Sequence, residues 1–206
     1  MKKIFDWLMH PPTDGPKSTI FLRVMAGGVF LWEGILKFVY ANQGIGRFAK
    51  LGMPPPHFTA DFVACLEIVG GLLLLTGLMT RLIAVPFIFE MIVAILSTKI
   101  SLYRGTSPLP LPAAPPKIGM WAVPHEVRSE YAQLLTVVFL MINGPGRWSL
   151  DALLNRERDR SQVVVAASRR TESANASAMV KRITWSYSGP RKRRKRSVFM
   201  MYSPVM

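Results

Sequence analysis

Three stretches of this chain are apolar over the length needed to cross a lipid bilayer, which leaves few folds open to it. Ser18 to Tyr40, Ala60 to Thr80 and Leu82 to Thr98 each approach or exceed the roughly 20 residues that span a hydrocarbon core as a helix. A fourth stretch, Val127 to Asn143, is shorter and opens with polar residues. The pattern predicts an all-α membrane protein, with a transmembrane four-helix bundle in residues 1–150.

Each of the first three stretches carries one glutamate well inside it: Glu33, Glu67 and Glu90. A charged side chain at the centre of a bilayer costs about 2.5 to 3.5 kcal/mol on insertion scales, so such residues are candidates for function. At about 100° per residue, all three fall on the face of their helix that holds small or polar residues. Helical rise places them, together with Gln133 of the fourth stretch, about 9 to 12 Å below the outer boundary.

These residues and Lys37 form the predicted intramembrane binding layer, which comprises Glu33, Lys37, Glu67, Glu90 and Gln133. Lys37 follows Glu33 by one helical turn, the spacing of an ion pair. Three acids against one lysine predict that at least one carboxyl holds a proton or a cation. The alternative is that the polar residues only hold the helices together. Arg23 is predicted to reach the interface near the other end of its helix.

The sequence predicts no metal site and identifies no catalytic residue. Helical di-iron centres use Glu-x-x-His pairs, and His10, His57 and His125 all lie outside the predicted spans. Cys65 is the single cysteine, which excludes an intramolecular disulfide and dithiol chemistry within the chain. No flavin, haem or iron–sulfur motif is present, so we expect a protein that does not act as a redox enzyme on its own.

The net charge of +14 is concentrated at the C-terminal end. Residues 151–206 are rich in Ser, Ala, Thr and basic residues, and they are predicted to form a disordered tail. The run from Arg191 to Arg196 favours attraction to anionic lipid headgroups, with no nucleic acid expected as a partner. By the positive-inside rule, four spans place both termini in the cytoplasm, in the inner (plasma) membrane. The proline-rich segment Ile100 to Glu126 is then a cap on the outer face.

Several motifs together resemble the DoxX family of small four-helix membrane proteins. From Phe21 to Pro86 they read LRVMAGGVFLWEGILKF, RFAKLGMPPP and ACLEIVGGLLLLTGLMTRLIAVP, and from Asn143 to Leu154 the chain reads NGPGRWSLDALL. The resemblance implies a membrane subunit linked to a quinone-dependent or other oxidoreductase, with a soluble or membrane redox enzyme as partner. A quinone is implied as cofactor by the resemblance alone, and the family offers no agreed catalytic residues.

A second hypothesis from the residues stays open beside this one. The glutamate layer could bind or carry protons, a cation or a polar small molecule. In either case membrane lipid is the expected surrounding partner, and the sequence leaves the oligomeric state undetermined.

Overall fold

The computed structural model describes residues 2–187, and the side chains of residues 3–182. Within that part of the chain the fold is entirely helical, which confirms the predicted all-α class. The α-helices are α1 Lys2–Met9, α2 Thr19–Val39, α3 Ile45–Lys50, α4 Pro56–Thr76, α5 Thr80–Ala94, α6 Ala122–Asn143 and α7 Leu150–Tyr187. A π-helical turn, Ile95–Lys99, and a 3₁₀ turn, Ile100–Tyr103, directly follow α5.

Three of the described helices are long and apolar enough to cross a membrane: Thr19–Val39, Pro56–Thr76 and Thr80–Tyr103. They correspond to the first three predicted spans. The fourth predicted span corresponds to α6. This helix has 22 residues, but its first half carries Glu126, Arg128 and Glu130. It is therefore not among the helices that qualify by composition.

The second and third spans begin and end where proline and glycine dictate. α4 begins at Pro56 rather than at Ala60, because a proline in the first turn needs no amide hydrogen for the helix. It ends at Thr76, and Gly77 follows in the left-handed conformation with φ +68. The predicted span from Ala60 to Thr80 is thus displaced by four residues towards the N-terminus.

Helices α2, α4, α5 and α6 pack together with polar groups inside and apolar groups outside. α2 packs mainly on α4 and α5 mainly on α6, while α2 also contacts α6 and α4 contacts α5. The stacked rings of Phe30 and Phe87, 3.7 Å apart, lie at the centre. Buried polar residues on these helices are Thr19, Arg23, Glu67, Thr80, Arg81, Gln133 and Thr136. Many large apolar side chains of these helices are exposed, as expected for surfaces that meet lipid.

The close approach of α2 and α4 depends on glycines. A Cβ atom at Gly27 would lie 2.8 Å from the Gly71 carbonyl oxygen, and one at Gly71 would lie 2.8 Å from that of Gly27. One at Gly34 would lie 2.8 Å from the carbonyl oxygen of Ala64 and 2.9 Å from the Glu67 Cβ. Small residues at such crossings let two backbones touch. The result is that Glu67 lies directly against α2.

Residues 151–187 differ from the prediction of disorder. The chain forms one compact unit up to Glu157 and a separate unit beyond it, and α7 extends to Tyr187. No glycine or proline interrupts Leu150–Tyr187, and helix formers such as Ala, Arg and Glu recur in it, so local propensity favours a helix. The basic run Arg191 to Arg196 lies outside the described residues.

Candidate functional site

All five residues of the predicted binding layer line one cavity among α2, α4, α5 and α6. Its volume is about 710 Å³, within the range of pockets that hold small molecules. Apolar side chains form much of the wall, namely Phe30, Leu36, Phe62, Leu66, Phe89 and Met91. The polar residues of the layer are Glu33, Lys37, Glu67, Glu90 and Gln133. The structure therefore brings together, from four helices, the residues that the sequence placed in one layer.

Lys37 forms an ion pair with Glu67 of α4, not with Glu33 of its own helix as predicted. The side chains of Lys37 and Glu67 are 14% and 4% exposed. The glycine crossing explains the difference, because without a side chain at Gly34 the Glu67 carboxylate comes within reach of Lys37. Glu33 is half-buried and lines the cavity, and it makes no ion pair with any described side chain.

Two buried oxygen atoms in the cavity wall have no hydrogen-bond partner among the described residues: Glu90 Oε2 and Gln133 Oε1. Gln133 is 7% exposed. Glu90 lies close enough to Glu67 and Lys37 to interact with both. Buried polar groups in native proteins almost always have partners, so unpaired acceptors beside an open volume indicate a place for a donor.

A smaller cleft of about 300 Å³ adjoins the cavity. Both are lined by Gln43, Arg47, Thr98 and Lys99, and the proline-rich segment contributes Leu109, Pro110 and Pro112 to the cleft. Lys99, in the π-helical turn, lies 3.2 Å from Glu130 and 3.8 Å from Glu126 of α6. π-helical turns recur at functional sites, and this one places a cation between the two volumes.

At the other end of α2, the prediction for Arg23 is wrong. Arg23 is 2% exposed and does not reach the interface. Its guanidinium donates to the carbonyl oxygens of Leu74 (3.0 Å) and Leu75 (2.6 Å) in α4. It also donates to those of Pro145 and Trp148, in the turn that follows α6. Arg23 thus joins the last turn of α4, where Leu74 O also accepts the Gly77 amide, to the turn after α6.

Arg81 and Asp151 continue this polar cluster, which the sequence did not single out. Arg81 donates to Met141 O (2.8 Å) and Ile142 O (2.9 Å) in α6, and it stacks on the Trp7 ring of α1 at 4.0 Å. Asp151 accepts hydrogen bonds from the backbone amides of Met79 (3.0 Å) and Thr80 (3.3 Å) at the start of α5.

Burial raises the pKa of the Asp151 carboxyl above its ordinary value, opposed by those two amides and by the charge of Arg23. A sequence signal could have identified the cluster. Arg23 and Arg81 lie near the N-terminal ends of their spans, and Asp151 is of a residue type that can cap a helix. These contacts join the ends of α4, α5 and α6. We assign the cluster a structural role.

The part of the chain that the structure describes contains no group of three or more His, Cys, Asp or Glu side chains placed to hold a metal ion. Cys65 is exposed on α4.

Comparison with known proteins agrees with the membrane fold. A family model described as DoxX matches residues 18–100. The chain is 42% identical over 150 residues to "Uncharacterized membrane protein Rv3486" of Mycobacterium tuberculosis, covering 72% of this chain and 87% of that protein. It is 36% identical over 83 residues to "Putative oxidoreductase CatD" of Bacillus subtilis, covering 40% of this chain and 60% of that protein. No solved structure matches the chain.

Proposed function

This chain belongs to the DoxX family of membrane proteins, and from that premise we propose that it is an accessory subunit of a redox system in the plasma membrane. The observation that carries the proposal is its similarity to the Bacillus subtilis protein named as an oxidoreductase. A chain with one cysteine and no recognisable redox-cofactor motif needs a partner enzyme to take part in electron transfer. The partner is a soluble or membrane-bound redox enzyme.

Co-purification tests this proposal. The tagged full-length chain is extracted from its native membranes in mild detergent, before and after oxidative stress, beside an equally tagged unrelated four-span protein. We expect a flavin-, haem- or iron–sulfur-containing enzyme to elute with this chain and not with the control, visible in the absorption spectrum of the eluate. A chain that elutes alone under every condition would contradict the proposal.

We include α6 as a fourth span, so that the membrane domain is a four-helix bundle. Its 22 residues are long enough to cross a bilayer. Tyr131, Leu135, Phe139 and Ile142 form an outward stripe that is 37 to 58% exposed, whereas the opposite face buries Gln133 and Thr136. An apolar outer face with a polar inner face fits a helix between lipid and a polar interior.

Four spans place both termini in the cytoplasm. Green fluorescent protein fused after residue 160 is then fluorescent, and alkaline phosphatase fused there is inactive. Active phosphatase at that position would mean that α6 does not cross the membrane.

A second function is supported by the cavity itself: binding or carriage of a proton, a cation or a polar ligand by the glutamate layer. Its specific support is the pair of buried acceptors without partners, Glu90 Oε2 and Gln133 Oε1, beside a volume of about 710 Å³. A site that merely held helices together would be expected to pair these acceptors with donors of the protein. This function is compatible with a role as a redox subunit.

A quinone fits this layer poorly. The cavity is large enough and its wall is sufficiently apolar. A quinone presents carbonyl oxygens, however, and these require hydrogen-bond donors. The two buried atoms of the layer that lack a partner are acceptors, so a quinone would leave Glu90 Oε2 and Gln133 Oε1 unpaired. We therefore assign no step to a quinone in this cavity.

A further inference from the structure

We propose that the cavity among α2, α4, α5 and α6 binds an amphiphilic organic ammonium ion. The ammonium lies at Glu90 and Gln133, and the apolar body lies against Phe62, Leu66 and Phe89. The inference deepens the second proposed function, ligand binding by the glutamate layer, and rests on it.

The excess of carboxyl groups in the layer favours the binding of a cation. Glu33, Glu67 and Glu90 contribute three carboxyls, and Lys37, the cation among them, is paired with Glu67. Glu90 has one buried oxygen without a partner. An ionised carboxylate in a low-dielectric interior is stable only when it is paired, so Glu90 either keeps a proton or exchanges it for an added positive charge.

The unpartnered atoms require a hydrogen-bond donor as well. Glu90 Oε2 and Gln133 Oε1 are both acceptors, and they come from α5 and α6. An ammonium group offers several N–H donors, and its hydrogen bonds to a carboxylate are stronger than those of a neutral group. A bare metal ion is less suitable, because no described cluster supplies the ligands that such an ion prefers.

The apolar part of the cavity wall favours a ligand with an apolar body. Phe62, Leu66 and Phe89 line the same volume, and aromatic faces also attract cations. A volume of about 710 Å³ is far larger than an ammonium group alone needs. The natural ligand class is thus a primary or secondary amine with an aromatic or branched aliphatic body.

One positive charge in the cavity wall, that of Arg47, opposes the binding of a cation. Lys99 is neutralised by Glu126 and Glu130, but Arg47 lines both the cavity and the cleft and makes no ion pair with a described residue. Its guanidinium disfavours a cationic ligand without contributing a partner for it. Removal of this charge is therefore expected to strengthen binding, the opposite of removing a layer carboxylate.

Three probes share a naphthalene ring and differ in the charge of their polar group: 2-naphthylmethylammonium, 2-naphthylmethanol and 2-naphthoate. Comparing them separates the effect of charge from that of hydrogen bonding. Binding is measured by calorimetry with the full chain in nanodiscs of zwitterionic lipid, against empty nanodiscs. We expect the ammonium to bind about 10- to 100-fold more tightly than the alcohol, as charged hydrogen bonds do relative to neutral ones. The naphthoate is expected not to bind.

Variants locate the site. Glu90→Gln should weaken ammonium binding about 10-fold or more, while Arg47→Gln should tighten it. Glu172→Gln, an exposed change in α7, serves as the matched control and should leave the affinity as it is. If Glu90→Gln fails to fold, Glu33→Gln replaces it, because Glu33 is half-buried and has no ion pair to lose.

Each remaining outcome counts against a distinct claim. Tighter binding of the alcohol or the naphthoate would overturn the ammonium assignment and leave ligand binding in place. Equal ammonium affinity in Glu90→Gln and the unmodified chain would overturn the location. Absence of binding by all three probes would overturn both this inference and the binding function, without touching the proposed redox partnership.

Discussion

At the scale of single residues, Arg23 shows how a buried charge can stabilise this fold without taking part in chemistry. Its guanidinium donates to four backbone carbonyls, two at the end of α4 and two after α6. A planar group with five N–H donors can serve several acceptors at once. We therefore interpret Arg23 as a link between two helix ends.

Arg23→Lys should lower the free energy of unfolding by about 2 to 4 kcal/mol, because lysine has fewer donors in a different geometry and each orphaned buried acceptor costs about 1 to 3 kcal/mol. Denaturant titration in mixed micelles, followed by circular dichroism, measures the change. Arg104→Lys, at an exposed loop position, is the matched control and should unfold like the unmodified chain. Equal midpoints for the two variants would contradict the assigned role.

The polar layer shows what residue spacing can and cannot predict. Helical arithmetic places Glu33, Glu67, Glu90 and Gln133 on inner faces, and all four line the same cavity. The same arithmetic predicted Lys37 beside Glu33, since it considers one helix at a time. The partner is Glu67 because the glycine crossing brings α4 closer to Lys37, and that distance is a property of two helices.

At the scale of elements, the crossing of α2 and α4 depends on glycines whose backbones touch. Gly71→Ala places a methyl group 2.8 Å from the carbonyl oxygen of Gly27 and must separate the helices. Gly28, one residue further along α2, has only a Trp32 ring atom near its Cβ position, at 3.7 Å. A side chain at position 71 would therefore clash with α2, whereas one at position 28 would fit.

Gly71→Ala is expected to destabilise the fold by about 1 to 3 kcal/mol, as overpacking of a close contact does. Gly28→Ala should instead raise the stability by about 0.5 to 1 kcal/mol, because alanine is the better helix former. Thermal unfolding of both variants in one detergent gives the comparison. Equal shifts of the same sign would show that the crossing does not need a glycine at position 71.

Asp151 caps the start of α5 and gives the fold a pH dependence. Because burial raises the pKa of this carboxyl, the folded state binds its proton more tightly than the unfolded state does. The resulting stabilisation is full below the ordinary Asp pKa of about 3.9 and is lost as the pH rises through the higher folded pKa.

The stability of the unmodified chain relative to Asp151→Asn should therefore fall as the pH rises from about 4 to 7. Parallel denaturation series across this range measure the difference. Asp159→Asn, at an exposed position in α7, is the control and should follow the unmodified chain at every pH. A constant difference between Asp151→Asn and the unmodified chain would contradict the assignment.

The helices also show where local sequence signals suffice. Pro56 and Gly77 mark the ends of α4, and both signals are visible in the sequence. The segment beyond Asp151 was harder to predict, because its low apolar content indicates disorder while its lack of glycine and proline favours a helix. Composition and propensity disagree there, and no core contact is predicted that could decide between them.

At the scale of the whole molecule, the described residues bury charged and polar side chains beside an apolar core and expose many large apolar side chains. Glu67, Arg81 and Gln133 are at most 7% exposed, while Phe21, Phe58 and Phe89 are 69 to 74% exposed. Buried charges together with so many exposed large apolar side chains are uncommon in a water-soluble domain and fit a surface that meets lipid. A cavity lined by carboxylates within such a protein is the feature from which the proposed binding function follows.

Thiol labelling tests most directly whether this cavity is a water-accessible site open to the outer face. In a Cys65→Ser background, Glu33→Cys places a thiol in the cavity wall, and Ile35→Cys places one two residues away on the exposed apolar face. Thiols react as thiolates, which form in water and not in lipid. We expect a membrane-impermeant thiosulfonate added to intact cells to label Glu33→Cys at least about 10-fold faster than Ile35→Cys. Equal rates at the two positions, or labelling of Glu33→Cys only in inside-out vesicles, would contradict the account.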